Sequence, residues 1–492
     1  MPKSYFVTTA IPYVNAKPHL GHAFEFVFAD AVVRYHRSRG EEALLLSGSD
    51  ENALKNVHAA EKAGMDVWTF IDANTKLFVQ LAKQLGVAVD VFQRGGDEKH
   101  HHSSQKLWGL CKDAGDIYKK SYEGLYCVGC EAFYTRDELN ESGECFEHPG
   151  RALEVVSEEN YFFRLSKYQD KLYGLISSDT IRVTPESRKN EVLGFLAEPL
   201  RDISISRSNE RAKNWGVPVP GDDSQRMYVW FDALNIYQSG VGFGWDEARY
   251  IKWWPADLHI IGKGIIRFHA VYWPAFLLSA GLPLPRAVFV HGYLTVQGQK
   301  MSKTLGNVIG PEEIIGKFGA EASRYLLLAT LPNGSDADVD FERLTEKYNA
   351  DLANGIGNLT ARITTLAGGV DGMTLNFDGR ENIPVEAFES GYKAEMDNFD
   401  FYGAIGKLQN LIRFADSYLS EKKPWGLYGE EKTKVLQNAV AMLYRIAWLI
   451  NPFMPETAEK IFATLGLQNT SEEWGKVLVV RRGEGVLFPR LD

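Results

Sequence analysis

Residues 4–50 read SYFVTTAIPYVNAKPHLGHAFEFVFADAVVRYHRSRGEEALLLSGSD, and this stretch decides the fold. Tyr5–Thr9 is short, apolar and rich in β-formers, which predicts a buried strand. A loop with Pro12, Asn15 and Pro18 follows. From Gly21 to Arg39, Phe24, Phe28, Ala31, Val32 and Tyr35 recur at helical spacing, and Gly40 supplies a stop. Ala43–Leu46 is a second apolar strand, ending in Ser47-Gly48-Ser49-Asp50. Strand, helix, strand in so short a span is the parallel βαβ unit. It predicts an α/β fold with a Rossmann-like parallel sheet, whose ligands gather at the carboxyl ends of strands.

Outward from this unit, residues 1–115 read as the first half of the α/β domain. Residues 116–225 break the alternation and read as an insertion. The pattern resumes over 226–295, with Tyr228–Trp230, Leu258–Ile261, a helix through His269 and Trp273, and the strand Ala287–Val290. Strand signals largely stop after residue 346. Helical periodicity in 346–366, 400–420 and 432–449 predicts an all-α bundle over 346–492.

Composition excludes several classes. With 45% hydrophobic and 24% charged residues the chain has the apolar content for a core, so it is not disordered. The 45 glycines among 492 residues fall far short of a collagen repeat. The longest apolar runs, such as Ala439–Ile450, hold a charge or stop before the ~20 residues a membrane span needs. The start MPKSYFVTTAIPYVNA lacks the pattern of a signal peptide, so a cytoplasmic location is expected. The net charge of −10 argues against indiscriminate nucleic-acid binding, but not against one partner held at a local basic surface. Four cysteines are no disulfide framework.

Three of those cysteines cluster as Cys127-x2-Cys130-x14-Cys145-x2-His148. Three thiolates and an imidazole make a closed tetrahedral set that suits one structural Zn²⁺. The segment around them has too few apolar residues to fold without a staple. Cys111 stands apart and reads as core. The run His100–His102 reads as a solvated loop or helix end.

At the first strand–helix junction stands Pro18-His19-Leu20-Gly21-His22. A helix N-terminus offers unpaired N–H groups to phosphate, and two imidazoles three apart can add hydrogen bonds there. Two polar caps on a surface helix would look the same. Much later comes Lys300-Met301-Ser302-Lys303-Thr304, after a strand and a Gly-containing link. Its two lysines can reach a polyphosphate or simply be solvated. Neither the P-loop nor the G-x-G-x-x-G cradle is present. Trp230, Tyr237, His269 and Trp273 supply aromatic rings suited to a polarisable sulfur, or to an ordinary core. Asn354, Asn358 and Arg362 are spaced four apart, and Trp425 lies in Lys423-Pro424-Trp425. Such residues can read and stack single-stranded bases.

The ordered pair HLGH and KMSKT resembles the HIGH and KMSKS signatures of class I aminoacyl-tRNA synthetases. The longer string IPYVNAKPHLGH is similar to the methionyl-tRNA synthetase version. The resemblance implies a methionine–tRNA ligase that uses ATP with Mg²⁺, forms methionyl-adenylate, and charges the 3′-terminal adenosine of tRNA(Met) with its CAU anticodon. It implies catalytic roles for His19, His22, Lys300 and Lys303, and ATP binding by Asn15, His19, Gly21, His22 and Lys303. The methionine pocket falls on Ala10, Ile11, Tyr13, Asp50, Trp230, Ala233, Leu234, Tyr237 and His269, with Arg207 near the active site. Cys127, Cys130, Cys145 and His148 fall on the family's zinc knuckle. Residues 296–345 become the KMSKS and stem-contact region, and 346–492 the anticodon-binding domain, with Asn354, Asn358, Arg362 and Trp425 at the anticodon. The chain departs from the family in two places. Asp50-Glu51-Asn52-Ala53 stands where D-E-H-G is common, and Gly262-Lys263-Gly264 where G-K-D is common. Enzymes for isoleucine, valine and leucine carry a large editing insertion for which there is little room here. A cysteine-specific enzyme would hold its zinc in the amino acid site. A zinc-stapled RNA-binding protein without catalysis would not need both the His and the Lys pairs. No appended dimerisation domain follows, so a monomer is expected.

Overall fold

The computed structural model describes residues 4–127, 132–134, 139–146, 150–296, 298–300, 309–330, 334–468, 473–483 and 485–492. Contacts sort the chain into two units, one of Met1–Pro18, Glu42–Leu81 and Ala88–His291, the other of His19–Glu41, Ala82–Val87 and Gly292–Asp492.

The first unit is built on a six-stranded sheet. Its strands are β1 (Ser4–Thr9), β2 (Glu42–Ser49), β3 (Val91–Arg94), β4 (Arg182–Thr184), β5 (Leu258–Gly262) and β6 (Ala287–His291). Their order is β3-β2-β1-β5-β6-β4, and every pair is parallel. Val7 pairs with Leu45 on one side and Leu258 on the other. These central strands are buried throughout, as strands covered on both faces must be. At Gly48 a Cβ would lie 2.2 Å from the Gln93 carbonyl oxygen, so only glycine lets β2 meet β3 there. The edge strand β4 comes from the stretch read as insertion. Three residues carry too little pattern to be read as a strand beforehand.

Within that stretch Ile117–Cys127, Ala132–Tyr134, Glu154–Phe163 and Ile203–Ser204 form an antiparallel sheet, with Ile117 opposite Phe163 and Tyr126 opposite Glu154. One apolar core joins these parts, running from Phe6 and Leu46 through Trp108, Phe163 and Phe231 to Trp273 and Val290. Cys111 is in it, fully buried, and burial pushes its thiol pKa up to about 12, so it is inert packing.

The second unit is helical. Leu20–Ser38, Pro311–Leu328, Phe341–Lys347, Asn358–Ala367, Val385–Asp397, Phe401–Lys422, Gly429–Ile450 and Pro455–Thr464 are α-helices, and Tyr348–Gly357 is wound as a π-helix. A small sheet of Leu294–Val296, Gln299–Lys300 and Ala337–Asp338 accompanies them. The Leu20–Ser38 helix belongs here by its packing. Phe28 stacks on Phe401 at 4.3 Å, and the Tyr35 hydroxyl donates to Asp397 at 3.0 Å. Sequence proximity to β1 gave no hint of this, because the partners lie hundreds of residues away.

Candidate active site

In the first unit, Asp50 follows the carboxyl end of β2. Its backbone N–H donates to Pro12 O at 2.9 Å, forming a parallel bridge between Tyr13 and Asp50. The loop after β1 and the end of β2 are thus zipped together, and Asp50 is buried at 3% exposure. Ala10, Ile11 and Tyr13 are partly buried against the core at this point. Tyr13 meets Trp230 edge-on at 6.3 Å, and Lys55 Nζ lies 4.2 Å above the Tyr13 ring.

Trp230, Ala233 and Leu234 come from the short helix Val229–Ala233 and its end, and Tyr237 from the next helix, Ile236–Ser239. Trp230 stacks flat on Phe268 at 3.7 Å and stands perpendicular to His269 at 6.3 Å. His269 lies on Phe268–Tyr272, a π-helical turn of the kind that recurs at functional sites. Its Nδ1 is 3.0 Å from the Ile265 carbonyl, which can only accept, so Nδ1 carries the proton. Nε2 then accepts from the Tyr237 hydroxyl at 2.7 Å. Burial lowers the His269 pKa to about 4, so the imidazole is neutral and this bond persists at ordinary pH. Among the described residues, the buried Trp230 Nε1 and His259 Nε2 have no hydrogen-bond partner. Orphaned donors are rare in cores and collect where a ligand belongs. An aromatic-walled space with a carboxylate beside it can take a thioether and an ammonium group together.

Beneath this wall runs a buried polar network that the sequence reading missed. Asp232 Oδ1 accepts from His100 Nε2 and Ser104 Oγ, both at 2.8 Å, and Oδ2 accepts from Asn52 Nδ2 at 2.6 Å. Burial alone would raise the Asp232 pKa, but the His100 charge and these hydrogen bonds outweigh it, and the carboxyl is held below its ordinary value. His100 is therefore no solvated helix end. It starts the Glu98–Asp113 helix but points inward, with no exposure, because Asp232 and Ser239 satisfy both ring nitrogens. Asn52, at the position where the resembled family has histidine, supplies a donor to this network. Gly264, at the other departure, lies exposed in the single turn Lys263–Ile265. Arg207 is buried, with its guanidinium 5.8 Å over the Tyr228 ring. Asn15 is half-buried in the loop after β1.

In the second unit, His19 is the N-cap of the Leu20–Ser38 helix. Its Nδ1 accepts from Gly21 N–H at 3.1 Å, while its own N–H donates to His22 Nδ1 at 3.1 Å. The rings stack at 3.7 Å. Each Nδ1 is spent as an acceptor, so each ring carries its proton on Nε2. A reciprocal cap of two histidines thus presents two N–H donors at a helix N-terminus, where anions are favoured. A Cβ on Gly21 would lie 2.9 Å from His19 Cε1, so the glycine makes room for the His19 ring.

Lys300 ends the small sheet, its backbone paired with Thr295. Lys303 lies outside the described residues, as do Cys130 and His148. Cys127 and Cys145 are buried at 2% and 1% exposure beside Phe146 at 71%. Among the described residues no cluster of three metal-ligating side chains occurs.

In the helical segment Asn354 and Asn358 are exposed, and Arg362 is paired with Asp416. The spacing of four puts Asn358 and Arg362 on one face of a regular α-helix. Asn354 precedes them in the π-wound stretch, where Gly355 (φ −84°, ψ −106°) breaks the regular turn. Trp425 is 54% exposed and Tyr428 85% exposed, an apolar cost that bases can repay by stacking. No helix among the described residues is long and apolar enough to cross a membrane.

Comparisons with known proteins agree with this arrangement. Residues 5–364 match the family described as tRNA synthetases class I (M), and residues 386–479 the anticodon-binding domain of tRNA ligase. The methionine–tRNA ligase of Thermotoga maritima is 39% identical, covering 99% of this chain and 80% of its own length. That of Brucella suis is 38% identical, covering 99% and 96%. The Mycobacterium tuberculosis methionyl-tRNA synthetase in complex with methionyl-adenylate has a TM-score of 0.90 at 36% identity, covering 99% of this chain and 100% of that one. With a parallel-sheet α/β domain followed by a helical anticodon-binding domain, and matches of this extent, the chain belongs to the methionine-type class I tRNA synthetase family.

Proposed function

We infer that the chain is a methionine–tRNA ligase, which activates methionine with ATP and transfers it to the 3′-terminal adenosine of tRNA(Met). The observation that carries this reading is the aromatic wall of Trp230, Tyr237 and His269 beside buried Asp50. In the reaction, Asp50 holds the methionine ammonium, and Ala10, Ile11, Tyr13, Ala233 and Leu234 complete the cavity for the side chain. The carboxylate attacks the α-phosphorus of ATP and pyrophosphate leaves. His19 and His22 donate from Nε2 to the transferring phosphates, Gly21 and Asn15 adjoin them, and Lys300 and Lys303 close on the β- and γ-phosphates. This is catalysis by positioning and electrostatics. ATP arrives as its Mg²⁺ complex, the cation offsetting triphosphate charge.

Asn354, Asn358, Arg362 and Trp425 read the CAU anticodon. Their exposure in the helical segment supports that role for the asparagines and Trp425. Cys127, Cys130, Cys145 and His148 would hold one structural zinc. Two buried thiols in an apolar-poor segment support the assignment, and a four-ligand set leaves no position open for catalysis. The segments 1–115 and 226–295 make up the catalytic domain, with 116–225 inserted, 296–345 as the loop and stem-contact region and 346–492 as the anticodon-binding domain. We assign the enzyme to cytoplasmic translation, as a monomer. The test is amino-acid-dependent exchange between ATP and pyrophosphate across the twenty amino acids. Methionine alone should support it, and exchange with another amino acid or with none would sink the reading.

A further inference from the structure

The Asp232 network touches every segment that lines the amino acid cavity, yet none of its polar groups belongs to the residues assigned to bind substrate. Asn52 stands two residues after Asp50. One amide proton of its Nδ2 goes to Asp232 Oδ2 at 2.6 Å and the other to Gly95 O at 2.8 Å. Asp232 sits on the helix that carries Trp230 and Ala233. His100 binds Asp232 through Nε2, and through Nδ1 it meets Ser239 Oγ at 2.8 Å, two residues beyond Tyr237. Ser104, one turn after His100, adds a third donor to the carboxylate at 2.8 Å. Three separate stretches of chain are thus tied to one buried anion.

Keeping an ionised carboxylate with 1% exposure in a core costs free energy unless it is fully hydrogen-bonded. Apolar residues of similar size would hold these segments together with less loss. What they would not do is fix spacing: hydrogen bonds of this length hold segments to a few tenths of an ångström, whereas apolar packing re-settles.

We propose that Asn52, His100 and Asp232 form a buried brace that sets the width of the methionine cavity, acting as positioning and specificity-determining residues without touching the amino acid. This inference rests on the methionine reading above. A loosened brace lets the Trp230 helix drift from Asp50, so methionine binds less well and longer side chains are admitted. The departure at residue 52 fits the same role, since either asparagine or histidine offers N–H donors to Asp232.

The test uses the full-length enzyme in methionine-dependent exchange, normalised to active sites by the adenylate burst. Asn52→Ala and His100→Ala are each expected to raise KM for methionine roughly tenfold, with kcat and KM for ATP held within about twofold. Discrimination against ethionine, one methylene longer, should fall by a similar factor. Asn52→His and His100→Gln restore an N–H donor and should return KM to within about threefold of the parent. Ser104→Ala removes one hydroxyl and should shift KM two- to threefold in the same direction, which keeps the test open if an alanine variant fails to fold. A methionine KM that is unchanged in Ser104→Ala and the folded alanine variants, or that rises in step with KM for ATP, overturns the brace. So does a failure of the donor-restoring variants to recover. A parent enzyme inactive with methionine would instead overturn the functional reading itself.

Discussion

Arg324 and Asp30 form an ion pair with no exposure on either side chain, Nη2 lying 2.6 Å from Oδ2. The remaining guanidinium donors go to Leu85 O, Pro452 O and Phe453 O, and Asp30 Oδ2 also accepts from Arg34 Nε at 2.6 Å. The pair therefore pins the Leu20–Ser38 helix, which His19 caps and whose first turn carries His22, to the Pro311–Leu328 helix and the turn after Ile450. Removing one partner of such a pair strands a buried charge. Arg324→Met should cost about 3–5 kcal/mol, read as a lowered urea midpoint. A loss under about 1 kcal/mol would show the pair to be dispensable.

Gly21→Ala places a methyl against His19 Cε1 and should swing that ring out of its stack with His22. Losing one well-placed donor to a transferring phosphate lowers kcat for adenylation about a hundredfold. Because an N-terminal turn tolerates alanine, thermal stability should change little. Exchange rates and a melting curve on one preparation check both halves of this expectation.

The pH dependence of stability follows from His269. Unfolded, it takes a proton near its ordinary value of 6.5; folded, only near 4. Between those values the unfolded chain binds more protons, so stability rises with pH through this window. The contribution is complete above about pH 6.5 and is lost on acidification toward 4, by an amount of order 3 kcal/mol. Buried His259, held down by desolvation and then by nearby His269, acts in the same direction. His269→Gln should flatten the parent's stability loss between pH 6.5 and 4 in denaturant titrations. Equal slopes in parent and variant would contradict the assignment.

Trp425→Ala should weaken tRNA charging and spare methionine-dependent exchange. Stacking one base is worth roughly 1–3 kcal/mol, so KM for tRNA should rise between about fivefold and a hundredfold. Equal loss in both assays would mean that the ring serves folding.

Stripping zinc with a chelator should disorder residues 127–148 first, seen as early amide exchange or proteolysis in that stretch. Verified metal loss with unchanged protection there would defeat the structural role.

The sequence revealed what is local. The βαβ start, the histidine cap and the cysteine spacing each sit within one short window, so periodicity and motif chemistry expose them. It hid what is assembled from afar. Asp232 and His100 are 132 positions apart, and Arg324 and Asp30 are 294 apart. No window holds both partners, and a lone buried His or Arg reads as solvated. The grouping of residues 19–41 with the helical unit was hidden for the same reason. The row of asparagines was legible as exposed, but its regular spacing was an assumption that Gly355 breaks.

A π-wound turn is an α-helix carrying one residue more than its pitch accommodates. The Tyr348–Gly357 stretch therefore acts as a phase adjuster for everything downstream. Excising a single residue there would let the helix relax to ordinary winding, and each residue removed rotates the following face by about 100°. Asn358 and Arg362 would then face a different direction with their own chemistry intact, so the length of this stretch, as much as its composition, sets what they can reach.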